Sequence, residues 1–441
     1  MAQNNRSLVS RLASLRSSIQ TWATKTLAPT QQDYLTGLRG LLVLESLAWI
    51  LLQTFVPTIV SSDTERPFYQ SVLRKVFSPL LWNQSLICSF FVILSARTVC
   101  VPFLQEPSVT RYAASLIGRP LRVGVPLTIA LIIAFAIFTN TGTTQKISET
   151  ASLLQNAHIA VPRPPQSPLV AFNAIFNTLW VVRDFSLQAA NQAWPSATLW
   201  VPSLVYSQSY TVYIAMVILP FTRPSWHIQG LLLFSAASFW LESWGWYSAT
   251  GLLLADISIN PELRRNLMSG FNLVNGLVCP SWVFALVLLT IGAVFKYIWT
   301  AFPQHLDAEL ILHPTLHLSD SLNFNVHQPY PRLDDYLVVV GTMLLLECST
   351  WMQRCFSTRL MVHLGKRSLS VFVAQSLVTY TLGMTLFAHL RVDQDLSEAA
   401  AAAIVLVICV PVIFFAAEVF HWFVDMPGRW FAKRFACWLK E

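Results

Sequence analysis

Two stretches decide what kind of molecule this is: Leu121-Arg-Val-Gly-Val-Pro-Leu-Thr-Ile-Ala-Leu-Ile-Ile-Ala-Phe-Ala-Ile-Phe138, and Ala399 through Ala417, Ala-Ala-Ala-Ala-Ala-Ile-Val-Leu-Val-Ile-Cys-Val-Pro-Val-Ile-Phe-Phe-Ala-Ala. Apart from Arg122 at its mouth and Thr128, the first is apolar throughout and long enough to bridge the hydrocarbon of a bilayer. The second carries no charge at all. Runs of this kind recur along the chain: 54% of the 441 residues are hydrophobic, 12% are charged and the mean hydropathy is +0.52. A transmembrane barrel requires short segments of alternating polarity, and these runs do not alternate. The chain therefore reads as an all-α, polytopic helical membrane protein.

About ten spans are expected, at 38–60, 78–96, 121–138, 199–220, 227–242, 244–258, 280–301, 336–350, 368–389 and 397–421, with 244–258 and 336–350 the shortest. Basic residues concentrate in cytosolic loops of membrane proteins. With both termini cytosolic, Arg354, Arg359, Lys366 and Arg367 fall on that side, and Asp307, Glu309, Asp320, Asp334 and Asp335 on the other. One span more or fewer would invert the downstream loops. The expected organisation is a basic tail over 1–32, a transmembrane domain over 33–425 with far-side loops 139–198 and 303–335, and a basic amphipathic tail over 426–441. Segment 1–29 carries Arg6, Arg11, Arg16 and Lys25, no acid and no compact apolar core, which fits a tail resting on anionic lipid better than a signal peptide. Nothing marks nucleic acid as a partner; the bilayer is the partner.

In the 139–198 loop, a Pro-rich patch, Val161-Pro-Arg-Pro-Pro-Gln-Ser-Pro168, precedes Leu169–Val182, which is apolar but too short to span. This segment reads as an interfacial or re-entrant helix over the outer mouth. Loop 303–335 is more polar and reads as a lid over the same face. Seven cysteines scattered among spans and cytosolic segments make neither a disulfide framework nor a zinc site. His313 and His317 have a metal-like spacing, with His305 and His327 nearby, but Pro314 interrupts any helix, so solvated histidines and no metal are expected.

A charge near the bilayer centre costs roughly 3 kcal/mol, so such residues face the protein interior and a partner. The acids in question are Glu45, Asp256, Glu347 and Glu418; the bases at span ends are Arg39, Arg97, Arg119 and Arg122, all on the expected cytosolic side. Arg119 and Arg122 lie one helical turn apart, a spacing that lets two guanidinium groups grip one phosphate or pyrophosphate. Ordinary positive-inside flanking produces the same pattern.

The order of local motifs resembles the acyltransferase 3 family of integral membrane acyltransferases. Gly37-Leu-Arg-Gly40 opens the first span, Arg119-Pro-Leu-Arg122-Val-Gly-Val-Pro126 the third and Leu364-Gly-Lys-Arg-Ser-Leu-Ser370 the ninth. Further echoes are Thr198-Leu-Trp200, Trp246-Tyr-Ser-Ala-Thr-Gly-Leu-Leu-Leu-Ala-Asp256 and Val424-Asp-Met-Pro427, so that the resemblance covers about residues 33–430. The Trp-rich style and Leu94-Ser-Ala-Arg97 are similar to fungal branches. What the resemblance implies is transfer of an acyl group, often acetyl, from acyl-CoA at the cytosolic face to a hydroxyl of a small acceptor, with Arg39, Arg97, Arg119 and Arg122 near the CoA phosphates.

The chain departs from the family where protons are handled. The histidine that the resemblance implies eleven residues after the first-span arginine is Ile50, roughly 16 Å up a helix from Arg39. The implied fourth-span glutamate falls on Val205 and the ninth-span histidine on Gln375. Two expectations follow. Either the protein is an O-acyltransferase, of the secondary-metabolite kind, with its base relocated to Glu45 (Glu347, His363 and His421 being weaker choices), or it is a non-catalytic binder, transporter or pathway assembly partner in which Glu45 pairs with an arginine. A multispan chain with no presequence is expected in the endoplasmic reticulum.

Overall fold

The computed structural model describes residues 32–61, 67–139, 141–156, 158–180, 185–272, 278–306 and 329–438. The chain is helical nearly throughout. In order the helices are α1 (Asp33–Phe55), α2 (Phe68–Phe77), α3 (Gln84–Gln105), α4 (Val109–Phe138), α5 (Thr141–Leu154), α6 (Pro168–Trp180), α7 (Trp200–Ile218), α8 (Pro224–Trp240), α9 (Gly245–Ile259), α10 (Pro261–Ser269), α11 (Ser281–Ala301), α12 (Leu333–Cys348), α13 (Thr350–Phe356), α14 (Arg359–Lys366), α15 (Ser368–Val378), α16 (Met384–Val392), α17 (Glu398–Phe420) and α18 (Met426–Trp438). A two-residue antiparallel ladder pairs Phe271-Asn272 with Val278-Cys279.

Seven of these helical segments are long and apolar enough to cross a membrane, and α12 with α13, bent by 104°, makes an eighth if counted as one span. The expected ten spans all coincide with helices, but α8 and α9 have only 17 and 15 residues, and length and composition do not establish them as crossings. Two segments are longer than they look as separate helices. A π turn at Thr379–Gly383 joins α15 to α16, and another at His421–Asp425 joins α17 to α18. The helix that begins at Glu398 thus runs on to Trp438, through the point at which the sequence reading placed the start of a separate tail.

The first helix lies between two core clusters, because its apolar residues occupy more than one of its faces. Its upper residues Leu47, Ile50, Leu51 and Phe55 pack with Val371 and Val373 of α15 and Val405 and Cys409 of α17. Its lower residues Tyr34, Leu35, Leu38 and Leu42 pack instead with Val92 and Ile93 of α3 and Val339 and Met343 of α12. The 139–198 region is a helical cap rather than an extended loop. Asn156 donates its side-chain amide to the carbonyls of Gln53 (2.7 Å) and Thr54 (3.0 Å), satisfying acceptors that the end of α1 leaves open. Trp194 is fully buried beneath that cap. Helix α6 turns Ala174 and Thr178 inward and Leu169, Phe172 and Phe176 outward, as an interfacial helix does. Residues 307–328, most of the expected lid with His313, His317 and His327, lie outside the described residues, as does the basic segment 1–29.

Buried ion pairs pin the helices together. Arg97 of α3, fully buried, meets Glu347 of α12 at 2.5 Å, and the Tyr34 hydroxyl of α1 joins both. At the opposite end, Lys296 of α11 pairs with Asp334 (3.4 Å) and Asp335, while Arg332 pairs with Asp334 (3.0 Å). Each network balances its own charge, as a low-dielectric interior requires.

Candidate functional site: an arginine cluster at one end of the bundle

The glycines around Arg39 have a packing role. A Cβ on Gly37 would land on the carbonyl oxygen of Phe356, one on Gly40 on that of Met361, and one on Gly365 on that of Thr36. These missing side chains let the end of α13 and the length of α14 lie directly against α1, the close approach that small residues give membrane helices. With one face of α1 taken up by α14, Arg39 projects toward α3. There it donates to the Thr98 hydroxyl (2.5 Å) and to the Leu94 carbonyl (3.3 Å).

The third-span arginines reach the same place. Arg119 donates to Ser95 Oγ at 2.6 Å, on the α3 turn that also anchors Arg39, and its Nε is buried without a partner. Arg122, one turn further along α4, makes no hydrogen bond or ion pair with the described residues. Its neighbours by charge are Arg429, Arg119 and Asp425, and Arg39 in turn lies within electrostatic reach of Arg122, Arg119 and Arg429. Arg429 arrives because Gly428 of α18 packs on Pro126 of α4, which sets α18 beside Arg122. Lys433, one turn on, also neighbours Arg122.

Four guanidinium groups from three helices therefore converge, and the one carboxylate among them is already engaged. Asp425 accepts two hydrogen bonds from Arg429 (2.6 and 2.8 Å) and is 2.8 Å from the Nδ1 of His421. The contrast with the balanced networks above is the main electrostatic feature of the molecule. Arg39, Arg119 and Arg429 are half-buried and Arg122 is exposed, so the cluster opens to the surface with more guanidinium forks than carboxylates, a donor set that matches phosphate oxygens.

The sequence-expected residues separate into two groups. Arg39, Arg119 and Arg122 come together. Arg97 does not: its guanidinium faces the core, occupied by Glu347 and Tyr34, and is closed to a ligand. Arg429 was missed, although Asp425 and Arg429 four residues apart and Gly428 between them are the signal that points to it. The four membrane acids divide similarly. Asp256 pairs with His227, Glu347 with Arg97, and Glu418 with Arg367 and the Trp422 indole, whereas among the described residues no hydrogen bond or ion pair reaches Glu45. It is half-buried, about 120° around α1 from Arg39 and on the same stripe as Trp49.

The positions at which the resemblance implies proton-handling groups are occupied by neutral side chains. Ile50 is packed in the core, Val205 lies half-buried on α7, and Gln375 donates to Ser46 Oγ at 2.8 Å while its own Oε1 finds no partner. Ser46 and Trp49 also line a narrow cleft with Gln84, Phe91, Thr198 and Phe372. All seven cysteines are free, and no group of metal-ligating side chains occurs among the described residues.

No family model, no curated protein and no solved structure matches the chain. None of the three comparisons identifies a family.

Proposed function

We propose that this protein is a membrane-bound O-acyltransferase that holds the phosphates of an acyl-CoA on Arg39, Arg119, Arg122 and Arg429 and passes the acyl group, acetyl in the simplest case, to a hydroxyl of a small acceptor. The observation that carries the reading is the arginine cluster without a matching set of carboxylates. A nucleotide-linked thioester supplies several phosphate oxygens at one end and a reactive carbonyl at the other, and the cluster offers donors only for the first. The arginine-rich end is cytosolic in this reading, in a bilayer such as the endoplasmic reticulum, with no metal required.

A second reading has its own support. The positions at which the resemblance implies histidines and a glutamate are Ile50, Gln375 and Val205, so an acyl-CoA binder without turnover, a transporter or a pathway assembly partner uses the same arginines without chemistry. Equilibrium dialysis of the purified protein against radiolabelled acetyl-CoA tests what both share with the motifs. Binding should weaken at least tenfold, about 1.4 kcal/mol, when Arg119 and Arg122 are both replaced by Ala. No binding by the parent protein removes the transferase reading. Binding with no acyl product across a panel of alcohols leaves the binder.

A further inference from the structure

Resting on the transferase reading, we propose that the proton of the acceptor hydroxyl is taken by His421, oriented by Asp425, and not by a residue deep in the first span. Three histidines in the described chain stand beside an aspartate, and only one is built as a base. His227 is 3.2 Å from Asp256 through Nδ1, but its Nε2 is spent on the carbonyls of Leu219 (2.9 Å) and Thr222 (3.2 Å). His389 meets Asp393 in a pair whose side chains are more than half exposed. His421 is 7% exposed, its Nδ1 faces Asp425 Oδ2 at 2.8 Å, and its Nε2 meets no partner among the described residues.

The supporting groups fix this arrangement from three sides. Asp425, 1% exposed, is clamped by Arg429, which also donates to the Lys366 carbonyl at 3.0 Å and so ties α18 to the end of α14. A carboxylate held in this way keeps the proton of the neutral imidazole on Nδ1 and leaves the Nε2 lone pair free to accept. The i, i+4 pair sits in the π turn at His421–Asp425, and insertions of this sort in a helix are frequent at functional sites. Arg429 is the shared member: it belongs to the phosphate-binding cluster and it holds the aspartate that orients the histidine.

The step balances without a further reactant. Nε2 takes the hydroxyl proton as the acceptor oxygen bonds to the thioester carbonyl carbon. The carbon–sulfur bond breaks, its electron pair leaves on the CoA sulfur, and the thiolate recovers the proton from the imidazolium.

Diethyl pyrocarbonate, which acylates the free nitrogen of a neutral imidazole, tests the placement without knowledge of the acceptor. Purified full-length protein is labelled at neutral pH with and without saturating coenzyme A, and each histidine is quantified by peptide mass spectrometry. His421 should be modified in the free protein and at least tenfold more slowly with coenzyme A bound, while exposed His389 reacts equally in both. Coenzyme A binding without protection of His421, or no modification of His421 at all, overturns the proposal and leaves the transferase reading standing; no coenzyme A binding overturns both. Thiol release from acetyl-CoA with 1-octanol as hydroxyl probe then tests the chemistry. His421→Gln should lose at least a hundredfold in rate with its coenzyme A affinity within threefold of the parent, and Glu45→Gln should keep the parent rate. Unchanged release in His421→Gln, or loss confined to Glu45→Gln, refutes the assignment, and no release from the parent protein counts against the transferase reading itself.

Discussion

Removing either member of the Arg97–Glu347 pair should destabilise the bundle far more than removing the pair together with Tyr34. At 2.5 Å the two charges attract with about 7 kcal/mol at an effective dielectric of about 20, most of which offsets the cost of taking both out of water. Deleting one partner leaves the other charged, with Arg97 fully buried and Glu347 nearly so, at a cost of about 3–5 kcal/mol. Arg97→Met and Glu347→Leu should each fall in that range. The triple change with Tyr34→Phe removes both charges and the hydroxyl between them, leaves no orphaned donor, and should lie within about 2 kcal/mol of the parent. Unfolding of the detergent-solubilised protein by sodium dodecyl sulfate, followed by tryptophan fluorescence, gives the four stabilities. A triple variant as unstable as the worse single one would show that the pair does more than neutralise itself, and the assignment of Arg97 to structure rather than to ligand would fall.

Other outcomes follow from single contacts. Gly365→Ala sets a methyl group against the Thr36 carbonyl, so α14 must move off α1 at a cost of about 1–3 kcal/mol, and acetyl-CoA binding should weaken with it; parent-like stability and binding would show that the approach is not tight. Burial pushes the Glu242 carboxyl, in the turn between α8 and α9, up to about 6. The folded chain thus holds this proton more tightly than the unfolded one; the contribution to stability is full below the ordinary value of 4.5 and is lost as pH rises through 6. Glu242→Gln, fixed in the neutral form, should be the more stable protein above pH 6 and match the parent below 4.5, and parallel pH profiles of the two would refute this. Glu45→Gln should raise stability, because Glu45 has no partner among the described residues to lose; a destabilised variant would reveal one.

The helices were legible because hydrophobic length and helical period are local properties. So was the meeting of Arg119 with Arg122, one turn apart, and with Arg39 at the mouth of a neighbouring span. Arg97 was not legible, since in one dimension a flanking arginine and a buried one look alike, and only the fold brings Glu347 to it. The reach of the last helix was lost for a different reason. A switch from apolar to basic residues after Val424 reads as an exit from the membrane, whereas a π turn carries the backbone on and returns Arg429 to the cluster. The span count suffered from the same locality: α8 and α9 are apolar but short, and whether a short helix crosses is set by its neighbours.

Helix α1 carries the argument from fold to function. Its lower end presents Arg39 to a group of guanidinium side chains that outnumber their one carboxylate, and six residues further, about 9 Å along the axis, it carries an acid with no partner among the described residues. Other charges in the helices of this chain show what the paired alternative looks like: Arg97 with Glu347, Lys296 and Arg332 with Asp334 and Asp335, Arg367 with Glu418. The place at which the chain departs from that rule is the arginine cluster, whose surplus guanidinium donors a phosphate-bearing ligand would match. His421 stands beside that place, with its orienting aspartate held by an arginine of the cluster, so the cluster and the histidine belong to one connected piece of structure.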